Sequence, residues 1–471
     1  PVRAALRFLD RRDRRLLAVA TILQMSISVL DLVGVILLGV VGTLAISASN
    51  GQAPPEAVDR VVSLFGLGES SNTSVITVLA IVAAGLLLTK SLLSPYLLSR
   101  VFRFLARREA MVSARLTRAL LAQPLTFVQK RSSQQTSSAL IGGANATTIQ
   151  ILGQMVVAAG ELALLLLLTV ALVIVKPFVA LGAVLFFALV GVALQQALGQ
   201  RSTDFAAQRR RTDVTSLVAI QEALGAYREI TVSDRRSFYV DRLEALRQNA
   251  AAASAGTNLV SVLPKYISEL AMVLGGCALA AILFTTEPIA AAAGTFAMFL
   301  AAATRAMPSL LRLQAAALMI RAAAGWAAPT FALADDLGPA LDTGPAESTV
   351  ASPDRDHAFV PRIDVSGVSF AYAPGIPALH DVSIAVDEGQ SIALVGRSGA
   401  GKSTLADVIL GVLEPETGEV TVSGVPPGDA VRRWPGSIAY VPQDVMLSDD
   451  SLRANVALGL PRDIVDDEQV W

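Results

Sequence analysis

Six apolar runs decide most of what this chain can become. The first, Leu16 to Ile46, holds 31 residues and a single charge, Asp31. As a helix rising 1.5 Å per residue it would reach about 46 Å, beyond the ~30 Å hydrocarbon core of a bilayer, so it must tilt or project. Further runs cover about 75–98, 149–175, 178–198, 259–284 and 289–311. A soluble bundle of very apolar helices would not need six runs of 20 or more residues. Composition agrees, since 53% of the 471 residues are hydrophobic and 16% charged, against about 25% charged in average proteins. The net charge of −1 carries no nucleic-acid footprint. The lone cysteine, Cys277, permits no intrachain disulfide and points to no thiolate zinc site.

Charge between the runs sets the expected sidedness. Residues 1–15 hold six arginines interleaved with Ala4, Leu6, Phe8 and Leu9. Two readings stand: a short amphipathic helix on the membrane surface, or a solvated basic tail. From Arg100 to Arg131 there are eight basic residues against one acid, Glu109. The positive-inside rule puts this stretch and the N-terminus in the cytoplasm, and the acidic 47–74 loop outside. Lys176-Pro177 and Glu287-Pro288 read as short external turns, and another polar, arginine-rich stretch occupies 200–249. Breaks at Gln123-Pro124-Leu125-Thr126-Phe127 and Ala226-Tyr227-Arg228-Glu229-Ile230 interrupt the two cytoplasmic excursions. Each reads either as a crosswise helix that presses on a neighbouring domain or as a plain helix–turn–helix. The expected organisation is a six-helix transmembrane domain over 1–334, a linker over 335–361, and an α/β domain from 362 to 471.

That α/β domain carries the chemistry. Gly396 to Thr404 reads Gly-Arg-Ser-Gly-Ala-Gly-Lys-Ser-Thr, the phosphate-binding pattern G-x-x-x-x-G-K-[ST]. Ile392 to Val395 before it reads as a short buried strand, and Ser403 to Leu413 after it as a helix. Glycines let the loop curl so that its N–H groups converge, and the helix N-terminus adds to the field that holds a phosphate. Gly396, Ser398, Gly399, Gly401 and Thr404 belong to this cradle. Lys402 would reach the β/γ oxygens, and the Ser403 hydroxyl would ligate Mg²⁺. An ordinary glycine-rich turn is the bland reading of the same residues. Six crossings return the chain to the cytoplasm, where this loop would meet its nucleotide.

With these residues in place, the chain resembles the ATP-binding-cassette transporters, in particular exporters whose six membrane spans are fused to one nucleotide-binding domain. Val368 to Tyr372, Leu379 to Ser383, Gly389 and the phosphate loop look like the opening of that cassette. Gly418 to Val420 with Ser423-Gly424 look like its next hairpin, and Ile438 to Asp444 like the strand ending in its Q-loop. Ser451 to Val456 is similar to the segment that follows. The resemblance implies ATP and Mg²⁺ as cofactors, Tyr372 stacked on the adenine, and Gln443 near Mg²⁺ or the attacking water. It also implies pairing with a second half-transporter in the cell (inner or plasma) membrane. No LSGGQ-type signature, acidic strand with a catalytic glutamate, or switch histidine lies between Gln443 and Trp471, and His357 and His380 both precede Gln443. The expectation is therefore a nucleotide domain cut partway, with no hydrolysis by these residues alone.

What is carried is read from charges inside the spans. Asp31, Lys90, Glu161, Lys265, Glu269 and Arg305 lie there, and such groups usually face a bundle interior. Lys265 and Glu269 are one helical turn apart and neutralise each other. Lys90 and Arg305 have no local partner and are expected to face a cavity and attract an anionic, lipid-like head group; a snorkelling or interhelical structural charge is the competing reading. Asp31 followed by Gly34 and Gly39 is weakly similar to lipid-linked oligosaccharide flippases. Three readings stay open: an exporter or flippase for a lipid-like or amphipathic substrate, a multidrug or peptide exporter, and a membrane-anchored nucleotide-binding module without turnover.

Overall fold

The computed structural model describes residues 1–49, 72–286, 288–341 and 358–470, the last without 374, 444, 446, 461 and 462. Two compact units divide the chain. The first comprises Pro1–Ala122 and Arg131–Thr343, and the second Gln123–Lys130 and Gly344–Trp471. Most of the 47–74 loop, the 342–357 part of the linker, Glu287 and His357 lie outside the described residues.

Among the described residues, six helices long and apolar enough to cross a membrane build the first unit. They are α2 (Arg11–Ser49), α3 (Asn72–Leu121), α6 (Gly153–Val175), α7 (Pro177–Gly225), α9 (Arg236–Thr286) and α10 (Ile289–Leu337). The short α1 (Val2–Arg7), α4 (Leu125–Gln129), α5 (Ser133–Ser138) and α8 (Tyr227–Val232) fall between or before them. Helices of 49 to 51 residues span about 75 Å, more than twice the hydrocarbon thickness. Each therefore carries an apolar half for lipid and a polar half for water. Lipid-facing positions such as Leu92, Ile174 and Phe178 are exposed, while small residues mediate close helix approach, as membrane packing requires. At Gly256 an added Cβ would stand 2.7 Å from the Phe205 ring.

The basic N-terminus begins with the short helix α1, whose apolar side turns inward. Ala5 and Leu9 are buried, packed with Ala146, Ile151 and Leu152, and Phe8 stacks on Phe331 at 6.0 Å. The apolar side of α1 is thus covered by the protein's own helices. The continuous helical rod that ends in α6 is longer than the apolar run, because two π-helical stretches, Ala139–Gly143 and Ala146–Leu152, lead into it. Thr147 and Thr148 are fully buried there and return their hydroxyls to the carbonyls of Gly143 and Ala144 at 2.7 and 2.8 Å.

In the second unit β1 (Ile363–Ala373) pairs antiparallel with both β2 (Ile376–Val386) and β3 (Thr417–Val422), in the order β2-β1-β3. Helix α11 (Lys402–Ile409) lays Leu405 and Val408 on Val365, Val368, Phe370 and Val420. Leu125 of α4 packs against the same core. Three short helices follow: α12 (Pro427–Arg433), α13 (Leu452–Ala457) and α14 (Asp467–Val470).

Two expected strands are not formed. Ile392 to Val395 and Ile438 to Val441 have no regular secondary structure, and Val395 and Val441 are 92% and 84% exposed. Their continuous apolar character is that of strands covered on both faces. Such strands gain their stability from paired neighbours, and no strand among the described residues pairs with either.

Candidate functional site

The phosphate loop hangs between β2 and α11. Its tight curl depends on two glycines in the left-handed region, Gly399 at φ 81° and Gly401 at φ 87°. Gly401 caps α11, and a Cβ there would collide with the Ala378 carbonyl oxygen and approach Leu379 to 3.1 Å. Only glycine meets both demands at once. From this cap the backbone enters the helix directly, with Leu405 N–H donating to the Gly401 carbonyl at 2.8 Å. The free N–H groups of the first turn therefore face the loop, and this arrangement suits an anion.

Lys402 folds back over the loop. Its Nζ donates to the carbonyl oxygens of Gly396 and Arg397, both at 2.9 Å. Among the described residues it meets no carboxylate. The ammonium is thus held over the cradle by neutral acceptors, which an anionic phosphate oxygen would outcompete because it adds charge–charge attraction to the hydrogen bond. Ser403 is exposed and its hydroxyl makes no hydrogen bond among the described residues. Thr404 is buried, and its Oγ1 lies 3.2 Å from the Tyr372 hydroxyl. That contact ties β1 to the first turn of α11. The Tyr372 ring meets Phe370 edge-on at 5.0 Å and keeps 43% of its surface exposed, leaving a flat face beside the loop.

Of the sequence-singled residues, Gly396, Ser398, Gly399, Gly401, Lys402, Ser403, Thr404 and Tyr372 therefore share one neighbourhood by chain continuity and the Thr404–Tyr372 contact. Gln443 is exposed in irregular chain and makes no hydrogen bond to the loop among the described residues. Sequence reading missed the Ala378 carbonyl, which walls the cradle. Local pattern gives no sign of it, since the contact crosses from a neighbouring strand.

A profile of the ABC transporter family matches residues 379–470, which include the whole loop. An ATP-dependent lipid A-core flippase of Chromobacterium violaceum is 30% identical over 279 residues, covering 56% of this chain and 44% of that protein. A fatty acid ABC transporter ATP-binding/permease protein of Mycobacterium tuberculosis is 33% identical over 124 residues, 26% of this chain and 20% of that one. The chain thus spans less than half the length of these curated relatives. A bacterial Atm1-family ABC exporter solved with ATP bound matches with a TM-score of 0.67 over 98% of this chain and 76% of its own, at 19% identity, a likeness of fold. Residues 379–470 thus carry an ABC transporter domain.

For a nucleotide domain of this kind the metal question is specific. Among the described residues no group of three His, Cys, Asp or Glu could hold a metal ion. The Ser403 hydroxyl is nevertheless free beside the cradle. Mg²⁺ bound to a nucleotide takes its ligands mainly from phosphates and water and asks little more of the protein. The donor set present fits that demand.

The intramembrane cations find their partner on another helix, as the competing reading of an interhelical charge has it. Lys90 and Arg305 do have a partner, distant in sequence. Asp31 is fully buried, and its Oδ2 accepts from Lys90 Nζ at 3.0 Å and from Arg305 Nε at 3.0 Å, while Arg305 Nη2 holds Oδ1. Helices α2, α3 and α10 meet at this cluster. It holds two cations and one anion, so one positive charge is left over. Lys90 and Arg305 keep 20% and 33% of their side chains exposed. Arg312 pairs likewise with Glu161 at 2.5 and 3.0 Å, joining α10 to α6. Lys265 and Glu269 approach to 3.9 Å on the outside of α9.

Proposed function

We propose that this chain is half of a dimeric ABC exporter that uses ATP to export or flip a lipid-like or amphipathic substrate. The observation that carries the reading is a phosphate cradle with a poised lysine in the same chain as six membrane-crossing helices. The names of the relatives support the substrate class. Backbone N–H groups of the loop would hold the β-phosphate, and Lys402 would leave its two carbonyls for phosphate oxygens. Tyr372 would cover the adenine with its exposed face. Ser403 and Gln443 would complete the Mg²⁺ shell, and the ion would neutralise charge between the phosphates. Nucleotide then biases transport only through two conformations that differ in substrate affinity. The surplus positive charge at Asp31, Lys90 and Arg305 would attract an anionic head group within the membrane. A second half-transporter, in the cell membrane, would complete the assembly.

Substrate-stimulated ATPase of the full-length protein in liposomes tests this. Stimulation by an anionic lipid, lost with Lys402→Ala, is expected. Replacing Lys90 and Arg305 by alanine should lower transport while nucleotide binding persists. ATP binding without any stimulated turnover would leave the non-transporting nucleotide module as the correct reading.

A further inference from the structure

Helix α3 sorts its arginines. Leu79, Ala83, Val101, Leu105, Val112 and Leu116 form its buried face. On that side Arg108 pairs with Asp13 at 2.8 Å and Arg115 Nε donates to the Leu341 carbonyl at 2.7 Å. At about 100° per residue, the opposite face reads Ile81, Leu88, Leu92, Tyr96, Arg100, Arg103 and Arg107, each of them exposed. The outward arginines have only neutral contacts. Arg100 Nη2 donates to the Tyr96 hydroxyl at 2.8 Å with its guanidinium 5.4 Å from the ring centre, and Arg103 Nη2 donates to Ser99 Oγ at 3.1 Å. Among the described residues none of the three meets a carboxylate.

We infer that this face is a binding site for an anionic phospholipid of the leaflet at the arginine-rich end of the bundle. The order of side chains matches the order of lipid parts. Ile81, Leu88 and Leu92 offer an apolar stripe for acyl chains, and Tyr96 stands where aromatic residues favour the interface. Measured from Leu92 along the axis, Tyr96 lies about 6 Å further, Arg100 about 12 Å and Arg103 about 16 Å. Counted from Tyr96, a head-group layer some 5–7 Å deep takes in Arg100 directly, and Arg103 reaches it by leaning its stem back roughly 3–5 Å. Arg107, about 22 Å from Leu92, reaches it by extending its stem toward the membrane. Arg118 shares the outward face but lies about 39 Å from Leu92, out of range. The site is on the outside of the helix, distinct from the Asp31 cluster, and does not depend on what the protein transports.

Spin-labelled phosphatidylglycerol and phosphatidylcholine, compared for motional restriction by the full-length protein in vesicles, give the test. Preference for phosphatidylglycerol is expected, falling roughly fivefold for each arginine replaced by glutamine at Arg100, Arg103 and Arg107. The single Arg103→Gln variant serves if the triple variant does not fold. Arg118→Gln should change nothing, and inorganic phosphate should not displace the lipid. Retained preference in the arginine variants, an equal loss with Arg118→Gln, or displacement by phosphate would each overturn the assignment.

Discussion

At the residue scale, the cradle depends on one atom's absence and one ammonium. Gly401→Ala adds a Cβ against the Ala378 carbonyl at a backbone φ of 87°, so the loop must open. Lys402→Ala leaves the loop shape but removes the charge. Hydrogen bonds to charged groups contribute about 1.5–3 kcal/mol, so Lys402→Ala should weaken ATP binding by roughly ten- to a hundredfold. A fluorescent nucleotide titration of the full-length protein reads both changes, and Gly401→Ala should lose at least as much. The Asp31 cluster makes a different demand. Asp31→Asn leaves Lys90 and Arg305 without their carboxylate, and breaking a fully buried pair costs about 3–5 kcal/mol. Partial exposure of both cations lowers the expectation to roughly 1–3 kcal/mol. The double variant Asp31→Asn/Arg305→Gln should lose less than the sum of the two single changes. Thermal unfolding in detergent measures the cycle, and simple additivity would show that the contact contributes nothing.

At the element scale, the entry to α6 is the most constrained piece. An added Cβ at Gly143 would strike Thr330 Oγ1 and stand 3.1 Å from the Trp326 carbonyl oxygen. Thr330 in turn donates to the Ala139 carbonyl at 2.6 Å, within the first π-helical stretch. Gly143→Val should therefore destabilise by about 1–3 kcal/mol, the usual range for overpacking, with Thr330→Ala giving only partial relief because the Trp326 backbone stays in place. Unfolding temperature reports the effect, and a tolerated valine would mean that α10 shifts freely here. This region also shows what the sequence conveys and what it does not. Length and apolarity identify a membrane helix at 149–175, because both are local properties. The π-helical turns before it arise from packing against α10 and the buried Thr147 and Thr148, which local periodicity cannot express. The same holds for Asp31, whose partners stand 59 and 274 positions away. The curl of the loop was legible because its glycines act through backbone geometry at fixed spacing, and the roles proposed for Lys402 and Ser403 rest on the same pattern. Ile392 to Val395 read as a strand on composition alone, yet pairing, which composition does not supply, is what makes one.

At the scale of the whole molecule, sidedness follows from parity and charge. Six candidate crossings return the chain to the side on which it began, and the arginine-rich stretches of α3, α7 and α9 fall on alternate connections. The N-terminal arginines, the arginines of α3 and the phosphate loop should then share the cytoplasmic side, with Lys176 between α6 and α7 on the other. The single cysteine, Cys277, makes this easy to measure. In a Cys277→Ser background, cysteine is placed singly at Arg3, Lys176 or Arg397 of the full-length protein. In sealed right-side-out vesicles, a membrane-impermeant maleimide should label only the Lys176 position, and permeabilisation should expose the other two. Labelling of Arg3→Cys and Arg397→Cys from opposite sides would require an odd number of crossings between them. A phosphate loop outside the cytoplasm would have no ATP to bind, and the proposed coupling of nucleotide to transport would fail with it.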